Sequence, residues 1–203
     1  MTLDKFRPYI SRFLDPFVKG FDRIGMTPDG VSIVAFGMAI LAAAAFFLGG
    51  RAAPVWYAVA AALVFLNGWL DIVDGALARE QEVASAGGDL LDHVLDRYAD
   101  IVIIAGLAAG IGDYLLGFLA VTGVVMTSYL GTQAQAVGLD RVYGGLVGRA
   151  DRLAIIGAVG FLAYPIPGEV AGLTLIGWLL VFLAVVGHLT ALQRFFYSWS
   201  ALE

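Results

Sequence analysis

Asp71 and Asp74 stand three residues apart, and Asp92 and Asp96 four apart, in a chain whose flanking runs carry almost no charge. Three and four are the spacings that put side chains on one face of a helix. Each pair can therefore offer two carboxylates to the same neighbour. Asp89 and Asp100 fall close to the second of these faces. A carboxylate in the middle of a membrane helix costs about 3 kcal/mol or more. Four unpaired ones in a semi-polar cavity repel one another or take up protons. Arg79 and Arg97 could pair with some of them, but two arginines cannot neutralise the set. Hard divalent cations can, since two ions bring four positive charges to four carboxylates. An all-oxygen donor set in a chain without cysteine suits magnesium, manganese or calcium. His93 lies beside the cluster, one step off the Asp92–Asp96 face.

Oxygen-bound divalent ions in a membrane protein suit phosphoryl chemistry: they neutralise and orient phosphate oxygens and stabilise charge on a leaving group. Gly75 lets a backbone or a substrate come close beside Asp74. Arg79, one turn further on, can clamp a phosphate with two parallel hydrogen bonds. A carboxylate left over from metal binding can take the proton of an attacking hydroxyl. A lipid phosphate meets such a site most readily at the membrane surface, with its tails left in the bilayer.

The elements that must hold these residues follow from the apolar runs. Of 203 residues, 60% are hydrophobic and 14% charged, with a mean hydropathy of +0.85, whereas a soluble domain carries about 25% charge. Residues 30–50, 52–70, 114–139 and 170–193 are uncharged, each near or above the roughly 20 residues that cross a bilayer as a helix. Two further stretches, 89–112 and 150–167, are apolar at one end and charged at the other. The expectation is an all-α polytopic membrane protein in a single domain over 1–203, with six transmembrane helices between 29 and 195. The helices are placed at 29–48, 54–80, 89–109, 113–137, 150–164 and 169–195. A soluble bundle would need polar outer faces, and runs such as IVAFGMAILAAAAFFLGG have none. The first 25 residues lack the apolar core of a signal peptide. Phe6, Tyr9, Ile10, Phe13, Leu14, Phe17, Val18, Phe21 and Ile24 recur there at helical spacing. That pattern predicts an amphipathic helix on the membrane surface, capping the bundle, or both. Lys5, Arg7, Arg12, Lys19, Arg23, Arg79, Arg141, Arg149, Arg152 and Arg194 fall on one side of this layout and Arg51 alone on the other. Positive charge marks the cytoplasmic face, so both termini and the carboxylate cluster are expected there, in the cell membrane. A formal charge of −5 does not suit nucleic acid.

The stretch reads Asp71-x-x-Asp74-Gly75-x-x-Ala78-Arg79, then eight residues, then Gly88-x-x-x-Asp92-x-x-x-Asp96. This resembles the full motif of the CDP-alcohol phosphatidyltransferases, with every fixed position present at the expected spacing, and the six-helix layout extends the likeness over nearly the whole chain. The resemblance implies transfer of a phosphatidyl-type group, on diacylglycerol or archaeol, from a CDP-lipid to a small polar alcohol, with CMP leaving. It implies two metal ions, magnesium or manganese, held by Asp71, Asp74, Asp92 and Asp96, with Asp96 as the base toward the acceptor hydroxyl. Gly75, Ala78 and Arg79 match positions that hold the CDP moiety and Gly88 one where a side chain would intrude on the nucleotide. The likeness also implies a homodimer. Thr27-Pro28-Asp29 resembles the TPN element before the first membrane helix, with Asp29 in place of Asn; the likeness implies that Thr27 and Asp29, like Asp71, help to hold the CDP-lipid, and Thr27 there reads equally as an ordinary N-cap.

One departure bears on the acceptor. In the phosphatidylinositol-phosphate synthases of this family a Lys-Ala-Arg-Ala-Glu segment ends the fourth membrane helix and its basic residues hold the acceptor phosphate. Here the matching stretch is Gly131-Thr132-Gln133-Ala134-Gln135. Arg149 and Arg152 match the Arg-x-x-Arg at the start of helix five. The acceptor site is thus expected to use Gln133, Arg149 and Arg152, with a phosphorylated polyol such as inositol phosphate or glycerol phosphate favoured over inositol, serine or glycerol. Two other classes fit less well. A ubiquinone-type prenyltransferase needs a second distant Asp-rich motif, and a cation transporter is expected to show repeats about the midplane; neither is present in the sequence.

Overall fold

The computed structural model describes residues 7–83, 85–142 and 144–203, with side chains from Leu14 onward. Among these residues the chain forms α1 (Arg7–Arg23), α2 (Pro28–Arg51), α3 (Val55–Glu80), α4 (Ala86–Ile111), α5 (Tyr114–Ala136), α6 (Arg149–Ala163) and α7 (Leu175–Leu202), with a small hairpin, β1 (Glu169–Val170) and β2 (Leu173–Thr174), before α7.

Side-chain caps set most of the helix starts. Thr27 Oγ1 accepts the Gly30 N–H at 3.1 Å with Pro28 in the first turn, the N-cap arrangement expected of TPDG. Ser85 Oγ accepts the Gly88 N–H at 3.0 Å, which starts α4 three residues earlier than the glycine pair implied. Asp113 Oδ1 accepts the Leu116 N–H at 2.9 Å to open α5. Gly112, at φ 79°, closes α4 in the left-handed conformation that glycine adopts without strain.

The last helix departs from expectation. It does not begin at 169: Glu169 and Val170 pair with Thr174 and Leu173 across Ala171 and Gly172, both at positive φ. Two such residues make the turn whose twist matches a hairpin. The Trp178 Nε1–H donates to the Val170 carbonyl at 2.9 Å and pins the hairpin to α7. Thr174 then caps the helix, which runs past 195 to Leu202.

Helices α2, α3, α5 and α7 are each long and apolar enough to cross a bilayer. The other two expected spans carry the site's charges. Asp89, Asp92, Asp96, Arg97 and Asp100 occupy the first half of α4. The 15 residues of α6 reach about 22 Å, less than the roughly 30 Å hydrocarbon core. Large apolar side chains such as Ile40, Leu41, Phe65 and Phe118 point outward, as lipid contact requires.

Inside, α4 packs against α2, α5 and α7, while α3 packs on α2 and α6. Lipid is as apolar as leucine, so close van der Waals contact between helices replaces the hydrophobic drive. Small residues supply it: a Cβ on Gly106 would lie 2.4 Å from the Ala43 carbonyl oxygen, and one on Gly50 2.3 Å from that of Gly110. Phe46, Ile103, Leu107, Leu180 and Leu183 fill the centre. Thr127 Oγ1–H donates to the Gly187 carbonyl at 2.8 Å and ties α5 to α7.

Helix α1 caps one end of the bundle. Leu14 and Val18 are buried against Leu70, Val73 and Leu77 of α3, and Phe17 meets Trp69 edge-on at 5.2 Å. Gln81 Nε2–H donates to Asp22 Oδ1 at 2.9 Å and to the Met26 carbonyl at 3.1 Å, which fastens the α1–α2 turn to the end of α3. The expected apolar positions Phe6, Tyr9, Ile10 and Phe13, and the charges of Lys5, Arg7 and Arg12, lie outside the described side chains.

Candidate active site

Helices α3 and α4 each pack on α2 more than on one another, and at the end that α1 covers the two carboxylate pairs meet. Oxygen atoms of Asp71, Asp74 and Asp92 lie within 4.8 Å of one another. Asp74 is buried, and its Oδ2 accepts a hydrogen bond from Ser32 Oγ on α2 at 2.7 Å. Asp96 joins the set through a cation: Arg149, the first residue of α6, donates from Nη1 to Asp71 Oδ1 at 2.7 Å and from Nη2 to Asp96 Oδ1 at 2.8 Å. Its Nε is 3.8 Å from Asp100 Oδ1. Arg97 Nη2 stands 3.4 Å from Asp96 Oδ2. One turn deeper, Arg152 and Asp100 form a buried pair at 2.6 Å.

The four motif carboxylates, Arg149 and Asn67 enclose a cavity of about 10 Å³, roughly the room one water needs. Asn67 is 2% exposed. Its Nδ2–H donates to the Ala35 carbonyl at 2.8 Å, which fixes the amide orientation, and its Oδ1 has no partner. The charges do not balance. Asp71, Asp74, Asp92, Asp96 and Asp100 number five, and Arg97, Arg149 and Arg152 number three, so 5 − 3 leaves two negative charges. Three gathered carboxylates, an orphaned amide oxygen and two surplus charges fit a hard divalent cation.

A second cavity of about 440 Å³ shares Ser32, Asp74 and Asp92 with the first. Six of the seven residues expected to hold the CDP-lipid line it, namely Thr27, Asp29, Gly75, Ala78, Arg79 and Gly88, while the seventh, Asp71, lines the small cavity beside it. A Cβ on Gly75 would approach only Arg79 Nη1, at 3.6 Å. One on Gly88 would lie 3.2 Å from Asp29 Oδ1, so glycine keeps this wall open.

On the acceptor side the arrangement differs from the expectation in detail. Arg149 lies within the carboxylate cluster itself, and Asp151 Oδ2 accepts the Gly148 N–H at 3.1 Å to start α6. Arg152 is 5% exposed and turned to Asp100. Gln133 is half-buried on α5 and lines neither of these cavities. The space where a basic residue was missed at position 131 is filled: a Cβ on Gly131 would come within 2.6 Å of Arg194 Nη1. Arg194, read in the sequence as a marker of sidedness, donates to the carbonyls of Thr127 and Gly144 at 2.7 and 2.8 Å. It lines a third cavity, of about 740 Å³, with Arg141, Gln193 and Tyr197. Arg141 also meets the His93 ring, which links the wall of this cavity to the α4 carboxylates. His93 Nδ1 stands 3.6 and 3.7 Å from Asp89 and Asp92.

Comparison with known proteins places this geometry in a class. The family model for CDP-alcohol phosphatidyltransferase matches residues 25–190, and the chain belongs to that family. It is similar to the archaetidylinositol phosphate synthase of Methanothermobacter thermautotrophicus, with 34% identity over 206 residues that cover 99% of this chain and 96% of the relative. The crystal structure of Mycobacterium tuberculosis phosphatidylinositol phosphate synthase with CDP-DAG bound resembles it with a TM-score of 0.79 at 26% identity, covering 93% of this chain and 94% of that one. The structure of that mycobacterial enzyme with manganese and citrate gives 0.78 at 26% identity, covering 92% and 88%. Membership makes this chain an integral membrane transferase of phospholipid biosynthesis that takes a CDP-alcohol donor and an alcohol acceptor.

Proposed function

We propose that the chain transfers the lipid-phosphate group of a CDP-lipid to a hydroxyl of inositol phosphate and releases CMP. The observation that carries this reading is the 440 Å³ cavity, which joins the predicted nucleotide-binding residues to the carboxylate cluster. The synthases that resemble the chain support the acceptor by their names, and Arg141, Arg149 and Arg194 supply positive charge for its phosphate. Inositol, serine or glycerol without phosphate would leave those charges without an anionic substrate.

In this reading Thr27, Asp29, Ala78 and Gly88 shape the nucleotide pocket. Gly75 keeps the wall beside Asp74 low, and Arg79 holds the pyrophosphate. Asp71, Asp74, Asp92 and Asp96 would hold the divalent ions, two in number and either Mg2+ or Mn2+, with Ser32 fixing Asp74. When bound, such ions neutralise the pyrophosphate and stabilise the charge that develops on the leaving phosphate. The acceptor hydroxyl attacks the lipid-bearing phosphorus, its proton passes to a carboxylate oxygen of Asp96, and the P–O bond to CMP breaks with its electron pair. Gln133, Arg149 and Arg152 border or brace the acceptor side. A chain with this layout spans the cell membrane six times, places α1 at the cytoplasmic surface with both termini and the site, and works as a homodimer. Crosslinking in detergent that traps only monomer counts against the dimer.

The test offers purified protein a CDP-lipid, Mg2+ and a panel of alcohols and their phosphates, and measures CMP release. Inositol phosphate is expected to be the best acceptor, with release abolished by chelator and by Asp71→Asn or Asp92→Asn in protein that still inserts. Faster release with free inositol overturns the acceptor assignment. A normal rate and metal dependence in Asp71→Asn overturn the metal site.

A further inference from the structure

Arg149 and Arg152 are both arginines at the start of α6, yet they are held differently. Arg152 is an ordinary buried partner: 5% exposed, with Nη2 at 2.6 Å from Asp100. Arg149 spans a gap. Its two Nη atoms reach carboxylates on different helices, Asp71 of α3 and Asp96 of α4, and its Nε has no hydrogen-bond partner. A guanidinium offers five N–H donors, so this one is not saturated. It lines the carboxylate cavity, and its helix begins directly after a loop with Gly144, Gly145 and Gly148.

Asp71, Asp74 and Asp92 form a compact set of three, and Asp96 is not part of it. A cation bound between Asp71 and Asp96 competes with Arg149 for the Oδ1 oxygens that it now holds. The charges point the same way. With Arg149 in place the cluster has two surplus negative charges, which one divalent ion balances. A second ion would leave it at +2 unless new negative charge arrived, and a phosphate monoester brings about −1.5 to −2.

We propose that Arg149 is a resident cation standing in the place of a second divalent ion between Asp71 and Asp96, and that a substrate phosphate draws it off and opens that place. The site then holds one ion at Asp71, Asp74 and Asp92 before substrate arrives and gains the second with it. Arg149 prefers a phosphate because planar two-point pairing is available there too, and each ligand it releases is a ligand the second ion needs. This rests on the metal and phosphate-acceptor reading above, and supplies the order in which the parts of the site assemble.

The experiment titrates detergent-purified protein with Mn2+ and follows free Mn2+ by electron paramagnetic resonance, with no turnover involved. Wild type alone is expected to bind one ion tightly and a second roughly ten- to hundredfold more weakly, the range set by losing one or two charge-assisted hydrogen bonds. Arg149→Ala is expected to bind two ions with similar affinity, and Arg149→Lys to restore the one-ion pattern. Inositol phosphate in one arm and cytidine diphosphate in the other identify which substrate draws Arg149 off. The one that does so is expected to strengthen the second ion in wild type, above any effect in Arg149→Ala. Two equal sites in wild type without substrate overturn the proposal and leave the metal reading standing, and this arm needs no variant to fold. A second ion that stays weak with both phosphates present also overturns it. Absence of Mn2+ binding from wild type overturns the metal reading and this inference together.

Discussion

Asp100 and Arg152 lie outside the family motif, yet they anchor it from below. Their ion pair is buried on both sides, and removing one partner leaves the other charge uncompensated, at a cost of about 3–5 kcal/mol. Asp100→Asn and Arg152→Met are each expected to lower stability by that amount. An apolar double variant, Asp100→Leu with Arg152→Met, is expected to recover most of it, read by thermal unfolding in detergent. Losses that simply add in the double variant would show that the two side chains do not work as a pair. Arg79 is the contrasting case, exposed at the mouth of the donor cavity. Arg79→Lys keeps the charge and loses the fork, so the KM for CDP-lipid is expected to rise roughly tenfold with little change for the acceptor. A rise confined to the acceptor would move Arg79 to the other half of the site. The motif residues were legible because their spacing is local, three or four along a helix. Ser32 and Asn67 were not. A serine and an asparagine in apolar runs gain meaning only when α2 packs on α3, which puts Ser32 on Asp74 and leaves the Asn67 amide oxygen facing the carboxylates. Arg149 was legible as a basic residue near the acceptor, but its partners Asp71 and Asp96 are brought to it by tertiary packing.

Two glycines at the element scale show how differently one residue type can act. At Gly106 the helices α2 and α4 touch backbone to backbone, and an added Cβ would meet the Ala43 carbonyl oxygen at 2.4 Å. Gly106→Ala must push the helices apart and is expected to cost about 1–3 kcal/mol, the range of overpacked cores. At Gly75 the same methyl group meets only Arg79 Nη1, at 3.6 Å. A helical Gly→Ala exchange there is expected to hold or raise the unfolding temperature by the gain in helix propensity, about 0.5–1 kcal/mol, while donor KM rises. Measuring both properties for both variants separates the roles: a Gly75→Ala protein that unfolds early would make Gly75 a packing residue. Helix existence was readable from the apolar runs and caps. The boundaries that moved have local causes. Ser85 outreached the glycines that follow it, and Ala171-Gly172 made a hairpin out of residues whose apolarity alone reads as helix. Arg194 was legible only as a marker of sidedness, because the space it fills is cleared by Gly131, sixty-three positions earlier.

For the whole molecule, the proposed orientation in a bilayer rests on charge and apolar length together. The cluster, the α3–α4 turn and the loop before α6 gather at one end, while Arg51 stands at the other, where its Nε–H and Nη2–H donate to the Ala109 carbonyl, each at 3.1 Å. That pairing turns Arg51 toward a helix end, where orphan carbonyls favour a cation. The hairpin and its flanking Pro165 and Pro167 belong to the same far end as Arg51, because α6 leads from Arg149 at the cluster to Gly160, where an added Cβ would lie 3.0 Å from the Phe46 ring near the Arg51 end of α2. The chain has no cysteine, so single cysteines report sidedness without background. Glu80→Cys, exposed at the end of α3, and Gly168→Cys, exposed before the hairpin, are expected to behave oppositely in intact cells. A membrane-impermeant thiol reagent should label position 168 from outside and reach position 80 only after permeabilisation. The two positions lie at opposite ends of the bundle whether or not α4 and α6 are counted as full spans. Labelling of position 80 from outside would invert the molecule and place the CDP-lipid site on the face away from the cytoplasm. Labelling of both positions from outside would mean that the chain between 80 and 168 does not cross the membrane an odd number of times, and the α4–α5–α6 path would have to be redrawn.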